Sequence, residues 1–220
     1  MFSRLLLPSL FTLVFFTALL TGCADNEPQH LPYLGYHDFD TETGDTLYHA
    51  IRDFAFVDQD SQLVTNETFA GKVYVADFFF TSCPTICPMV SKQMLRIYDK
   101  YADNDRVMLL SHTVDPKRDT VARLKKYAEG LGVQDNRWRF VTGDKIDIYD
   151  ITYDYISTAL DQPDAPGGID HSGYILLIDE DRHLRAYANG TVAEDVDQFM
   201  RDVDKLLAEM AEEDAGQSGS

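Results

Sequence analysis

One stretch, Lys72 to Met94, limits what this chain of 220 residues can fold into. Lys72-Val73-Tyr74-Val75-Ala76-Asp77-Phe78-Phe79-Phe80 is an almost unbroken apolar, β-branched and aromatic run. Such a run suits a strand covered on both faces, in a sheet held between helices. It empties into Thr81-Ser82-Cys83-Pro84-Thr85-Ile86-Cys87-Pro88, after which Met89, Val90, Met94, Leu95, Ile97 and Tyr98 recur at roughly helical spacing. Two cysteines therefore sit where a central strand hands over to a helix. Free N–H groups and the positive end of the helix dipole favour thiolate over thiol at such a place.

The spacing is Cys-x-x-x-Cys. Four residues apart on a helical turn, both sulfurs lie on one face, with Cβ atoms about 5–6 Å apart. That separation lets two thiolates grip one metal ion at ~2.3 Å each. An unstrained disulfide wants Cβ atoms ~3.5–4.5 Å apart, so oxidation requires the turn to adjust. Pro84 fits a first helical position, whereas Pro88 removes a donor that a continuous helix would use. The expectation is one tight turn, Cys83 to Cys87, abutting the main helix. Two thiolates leave a metal site incomplete, and a third ligand has to come from elsewhere in the chain.

The chain begins as a targeting segment. Arg4 precedes an apolar run from Leu5 to Leu20, followed by Leu20-Thr21-Gly22-Cys23. A basic start, an apolar middle and small residues at the cut site make a secretory signal. Its last four residues resemble the bacterial lipoprotein box, which implies removal of residues 1–22 and lipidation of Cys23. The alternative is an uncleaved membrane anchor. Either way the remainder is exported and tethered, with the periplasmic face of the membrane as the expected location. The chain carries 19 basic and 37 acidic residues, net −18, and losing Arg4 with the leader takes it to −19. Phosphates would be repelled, so nucleic acid is excluded as a partner. With Cys23 taken as the lipid site, one cysteine pair remains. A lone pair in an oxidising compartment is most often a structural disulfide, but its place between two prolines at a strand-to-helix turn argues otherwise.

Residues 23–50 are polar and turn-rich and read as a tether, with His30, His37 and His49 as surface histidines. Asp53 to Val57 and Gln62 to Thr65 make an N-terminal β-hairpin around Asp58-Gln59-Asp60-Ser61. Asn66 can cap a short helix. Val107 to Val114 reads as a second buried strand, and Asp119 as the N-cap of a helix from Thr120 to about Glu129. Trp138 to Val141 is a short strand, and Asp144 starts a helix reaching about Tyr155. Ser157 to Asp170 reads as an irregular loop, of a length that is usually functional or mobile, which delivers His171 onto the strand Tyr174 to Asp179. Leu184 to Ala188 is a last strand. A helix from about Ala193 to Met210 closes a domain over 51–210, and the acidic, then Gly/Ser-rich tail 211–220 reads as disordered. The class is α/β: a central mixed sheet flanked by helices, of thioredoxin-like type.

Phe80-Thr81-Ser82-Cys83-Pro84-Thr85-Ile86-Cys87-Pro88, then Val114-Asp115-Pro116-Lys117-Arg118-Asp119-Thr120, then Asp170-His171, in this order, resemble the Sco/SenC family over about Phe54 to Leu207. That family consists of thioredoxin-fold copper-binding proteins that help assemble cytochrome c oxidase. The resemblance implies Cys83, Cys87 and His171 as copper ligands. Two soft thiolates and an imidazole suit three-coordinate Cu(I), and with an added ligand they hold Cu(II). The implied partners are the copper-bearing subunit of the oxidase and other copper chaperones. Asp115 reads as a turn residue before Pro116, and His112 as a pocket-lining or outer-sphere group. Three functions compete: a copper metallochaperone, a thiol–disulfide reductase with Cys83 as nucleophile, and a redox or copper sensor. Peroxide reduction is a weaker variant, because fold does not fix function.

Overall fold

The computed structural model describes residues 30–218. The expected leader and the expected lipidation position, Cys23, lie outside these residues. Among the described residues no helix is long and apolar enough to cross a membrane.

The chain opens with a small antiparallel pair, β1 (Asp38–Phe39) and β2 (Thr46–Leu47), and then the hairpin β3 (Ala55–Asp58) and β4 (Leu63–Thr65). A β-α-β-α-β run follows: β5 (Val73–Phe79), α1 (Cys87–Lys100), β6 (Val107–Thr113), α2 (Val121–Leu131) and β7 (Trp138–Thr142). Next come α3 (Lys145–Asp154), the short strands β8 (Ala159–Asp161) and β9 (Ile169–His171), the hairpin β10 (Tyr174–Ile178) and β11 (Leu184–Asn189), and α4 (Ala193–Ser218). Seven strands form the central sheet in the order β11-β10-β5-β6-β7-β3-β4. The pairs β5–β6 and β6–β7 are parallel and the other pairs antiparallel, which makes the sheet mixed as expected.

Every residue of β5 is buried, and the alternation of a strand divides them between two layers. Phe79 faces α2, where Tyr127 stacks on it at 5.2 Å. The Tyr127 hydroxyl bonds Ser91 of α1 at 2.7 Å, which puts α1 and α2 on this same face. On the opposite face Phe78 meets Tyr155, just past α3, edge-on at 5.4 Å, and Tyr74 and Tyr155 pair their hydroxyls at 2.9 Å. In α1 the buried Val90, Met94, Ile97 and Tyr98 form one helical stripe against the sheet. The two cysteines thus emerge at the C-terminal edge of the most deeply covered strand, between the layers.

Three local expectations change. The chain is already fastened at Leu31, within the expected tether: its N–H donates to Glu209 and its carbonyl accepts from Arg185. Arg185, Asp179 and Glu209 are buried together, at 3.0 and 2.8 Å, and buried charges persist only when mutually paired. The last helix does not stop at Met210. Ala211-Glu212-Glu213-Asp214-Ala215 are mostly good helix formers that carry α4 on to Ser218, and Asp214 pairs with Arg106 at 2.8 Å. The short 3₁₀ helix Asn66–Phe69 is capped by Thr65 and not by Asn66, whose side chain accepts from Phe54 N–H instead. In the β3–β4 turn, Ser61 takes φ of +60°, a conformation that glycine adopts most easily. The Asp58 carboxylate holds that turn by accepting from Asp60 and Gln62, both at 2.8 Å.

Candidate metal centre

The turn from Thr81 to Ile86 is anchored at its start by the Cys83 N–H donating to the Phe80 carbonyl at 3.1 Å. Cys87 is the first residue of α1. Pro88 therefore falls in the first helical turn, where its missing N–H has no partner to lose. The helix consequently begins at the second cysteine, earlier than a break at Pro88 would require.

The third ligand arrives on the far side of the turn. Residues 157–170, expected to be irregular, fold instead as the antiparallel pair β8–β9, with Ala159 opposite His171 and Asp161 opposite Ile169. The hairpin is closed at its base by Ser157 and Ser172, whose hydroxyls meet at 2.5 Å. At its tip Gly167 has φ of +82°, and a Cβ there would lie 2.6 Å from the Phe80 ring. The glycine is needed for both reasons, and it lets the arm close down on Phe80 and Pro84. His171 then stands edge-on to Phe80 at 5.2 Å, with Nε2 3.2 Å from Cys87 Sγ.

One donor atom each from Cys83, Cys87 and His171 lies within 4.8 Å of the others. Ligands held at ~2.3 Å (sulfur) and ~2.0 Å (nitrogen) from one ion stand at most ~4.6 Å apart, so the group fits a single ion with a small contraction. The three residues are 8%, 3% and 9% exposed. Both cysteines are free thiols. The thiols are unequal. Burial pushes Cys87 well above the usual range, and the nearby Cys83 and Asp77 add to the rise. Burial raises Cys83 as well, but the N–H groups of Thr85 and Cys87 and the Cys87 thiol outweigh it and leave the group below its ordinary value. Cys83 is thus the readier thiolate. Burial also lowers His171, against a hydrogen bond to the Ile169 carbonyl, which keeps the imidazole neutral with a lone pair to offer.

The structure separates the remaining candidates. Asp115 stays outside the ligand group: it pairs with Arg118 at 2.8 Å, and its carbonyl closes a turn by accepting from the N–H groups of Arg118 and Asp119. His112, expected to line the pocket or support its ligands, points to the opposite face of the sheet. Its ring lies among Phe54, Phe56, Phe78 and Tyr155, and neither nitrogen has a partner among the described residues. Asp77 carried no functional reading in the sequence. It lies buried on the α1 face of β5 and accepts from Ser111, which in turn accepts from Trp138 Nε1 at 2.8 Å. Burial pushes Asp77 up to about 7, the Ser111 bond opposing. Its position, an isolated acid inside an apolar strand, was the available signal.

Comparison with known proteins gives one family. The sequence pattern of SCO1/SenC matches residues 43–208. The SCO1 protein homolog of Bacillus subtilis (strain 168) is 30% identical over 161 residues, covering 72% of this chain and 83% of that protein. The solved structure of BsSco superposes with a TM-score of 0.63 at 29% identity, covering 72% of this chain and 93% of that one. BsSco is described as a member of the Sco family of cytochrome c oxidase assembly proteins, in which a disulfide switch was identified. Copper-bound ScoI of Bradyrhizobium japonicum superposes with a TM-score of 0.55 at 29% identity, covering 69% of this chain and 98% of that one.

Proposed function

The chain belongs to the SCO1/SenC family, and on that premise we propose that it is an exported, lipid-anchored copper carrier acting in assembly of the dinuclear copper site of cytochrome c oxidase. The single observation that carries this reading is the convergence of Cys83, Cys87 and His171, from a turn and a distant hairpin, to within 4.8 Å. Copper supplies no chemistry of its own here; it is the cargo. Cys83 and Cys87 give two soft donors on one turn and His171 gives a neutral borderline one, a set that suits Cu(I) and extends to Cu(II). Burial excludes water and competing hard cations. The hairpin arm brings the imidazole in separately from the thiols, so one ligand can leave while two remain. Copper binding in ScoI and the oxidase-assembly role of the family of BsSco support the cargo and the destination. Cys23 is the proposed anchor and the periplasmic face the proposed location, both resting on the leader sequence.

The second reading, a reductase of the oxidase's copper-site cysteines, is favoured by the unequal thiols and by the disulfide switch of BsSco. His171 separates the two. A reductase needs one thiolate to attack and one thiol to resolve, whereas a carrier needs its full ligand set. His171→Ala is expected to keep thiol–disulfide exchange with a model disulfide within about threefold, since the imidazole only tunes thiol reactivity. The same variant is expected to lose most oxidase activity in a deletion strain complemented at equal expression and limiting copper. Full restoration of oxidase activity would sink the carrier and promote the reductase.

A further inference from the structure

We propose that Asp119 is the positioning residue of the metal-bearing turn: it fixes Thr81, and through Thr81 the place of Cys83 relative to Cys87 and His171. The proposal rests on the copper reading for its metal-binding consequence, but its structural part stands without it.

Asp119 lies 38 residues from Thr81 in sequence and is completely buried. One oxygen, Oδ2, accepts from the Thr81 N–H at 3.0 Å and from the Thr113 hydroxyl at 2.6 Å. The other, Oδ1, accepts from the Thr81 hydroxyl at 2.5 Å and lies 3.5 Å from Arg123 Nε. Arg123 Nε also donates to the Thr81 hydroxyl oxygen at 2.6 Å. A single carboxylate therefore ties together the end of β6, the first turn of α2 and the residue two places before Cys83. Thr81 has both of its donors, N–H and O–H, committed to this one carboxylate. Cys83 stands two residues on, in a turn with one backbone bond at its start and internal bonds from Thr85 and Cys87 to the Cys83 sulfur, so loss of the Asp119 anchor frees the start of that turn from β6 and α2.

This explains a departure from the sequence reading. Asp119 precedes a helix and reads as its N-cap, yet α2 begins at Val121 after Thr120, with no side-chain cap bond. The carboxylate is withdrawn from the helix and given to the turn. Charge-assisted bonds to backbone N–H groups are about twice as strong as neutral ones, and groups that support a ligand are commonly worth 10–100-fold in metal affinity.

Asp119→Asn tests the proposal, since the amide keeps the shape but must turn a donor toward either the Thr81 N–H or its hydroxyl. Thr81→Val provides a milder second variant, removing the hydroxyl and keeping the N–H bond. Three readouts are compared on the purified full chain: amide exchange over residues 81–87 in the metal-free state, Cu(I) affinity by competition with a chelator, and the sulfur-to-Cu(II) absorption band. Expected for Asp119→Asn are faster exchange confined to residues 81–87, Cu(I) affinity lower by about tenfold or more, and a shifted band. Thr81→Val is expected to move the same three readouts by a smaller amount. Wild-type exchange over residues 81–87 in folded Asp119→Asn overturns the proposal. Should that variant not fold, wild-type exchange and an unchanged band in Thr81→Val overturn it equally. If the native chain takes up no copper, the copper reading fails, and the exchange result still decides the positioning role.

Discussion

A chain with serine in place of Cys87 is expected to lose tight Cu(I) binding, by about three decades in affinity or ~4 kcal/mol. The argument is one of donor type and position. Serine is a hard donor and stays protonated, so it cannot stand in for a thiolate on a soft ion. Cys87 is also the thiol in contact with the imidazole, at 3.2 Å from His171 Nε2. Removing it takes the middle member from the ligand group and leaves Cys83 and His171 without the sulfur that joins them. Cys83→Ser is expected to follow closely, and the double variant to bind no better than the background. Folding should change much less, because a buried hydroxyl replacing a thiol typically costs only ~1–3 kcal/mol. Chelator competition and thermal unfolding of the metal-free chain separate the two effects. Unaltered affinity in Cys87→Ser would remove that residue from the site.

The second large effect lies far from the metal. Below about pH 6.5 the native chain is expected to lose stability progressively relative to His112→Phe, the raised Asp77, which acts in the opposite sense, being common to both. Burial alone lowers the His112 imidazole from its model-peptide value of 6.5 to about 3. In the unfolded chain the ring takes up a proton below about pH 6.5. The folded chain takes it up only below about 3. Between these values the unfolded state binds more protons, so stability falls as the pH falls. Over the whole window the contribution approaches ~5 kcal/mol, and at pH 5 it is already ~2 kcal/mol. Phenylalanine suits the position because the ring already sits among Phe54, Phe56, Phe78 and Tyr155 at 5.1–6.0 Å between centroids. It also removes two buried nitrogens that lack partners among the described residues, which is expected to raise stability at neutral pH. Urea midpoints at pH 7.5 and 4.5 check the argument. The gap between variant and native chain should widen on acidification; parallel curves would refute it.

What could be read from the sequence followed from local rules. The apolar run of β5 and the cysteines beyond it announce a buried strand feeding a helix, and composition and spacing are enough for that. The hairpin carrying His171 was hidden for a physical reason. Gln162 to Gly168 has turn composition, while the flanking strands β8 and β9 are only three residues each and gain order from pairing and from closure over Phe80. Asp119 misled in the opposite way. Its sequence neighbours satisfy a capping rule, but its true donors come from Thr81 and Thr113, and no local pattern records them. The orientation of His112 was equally unreadable. In a strand buried on both faces, the sequence lacks the polar–apolar alternation that tells one side from the other. The C-terminal helix ran past its expected end because Gly216 follows five residues that favour or tolerate helix.

The most direct test of the copper assignment is X-ray absorption at the copper edge on the reduced chain loaded with Cu(I) and freed of excess metal. The ligand group predicts one copper per chain, with two sulfur scatterers near ~2.3 Å and one imidazole nitrogen near ~2.0 Å, the nitrogen signal disappearing in His171→Ala. A first shell of nitrogen and oxygen alone, or a spectrum indifferent to His171, would contradict the account.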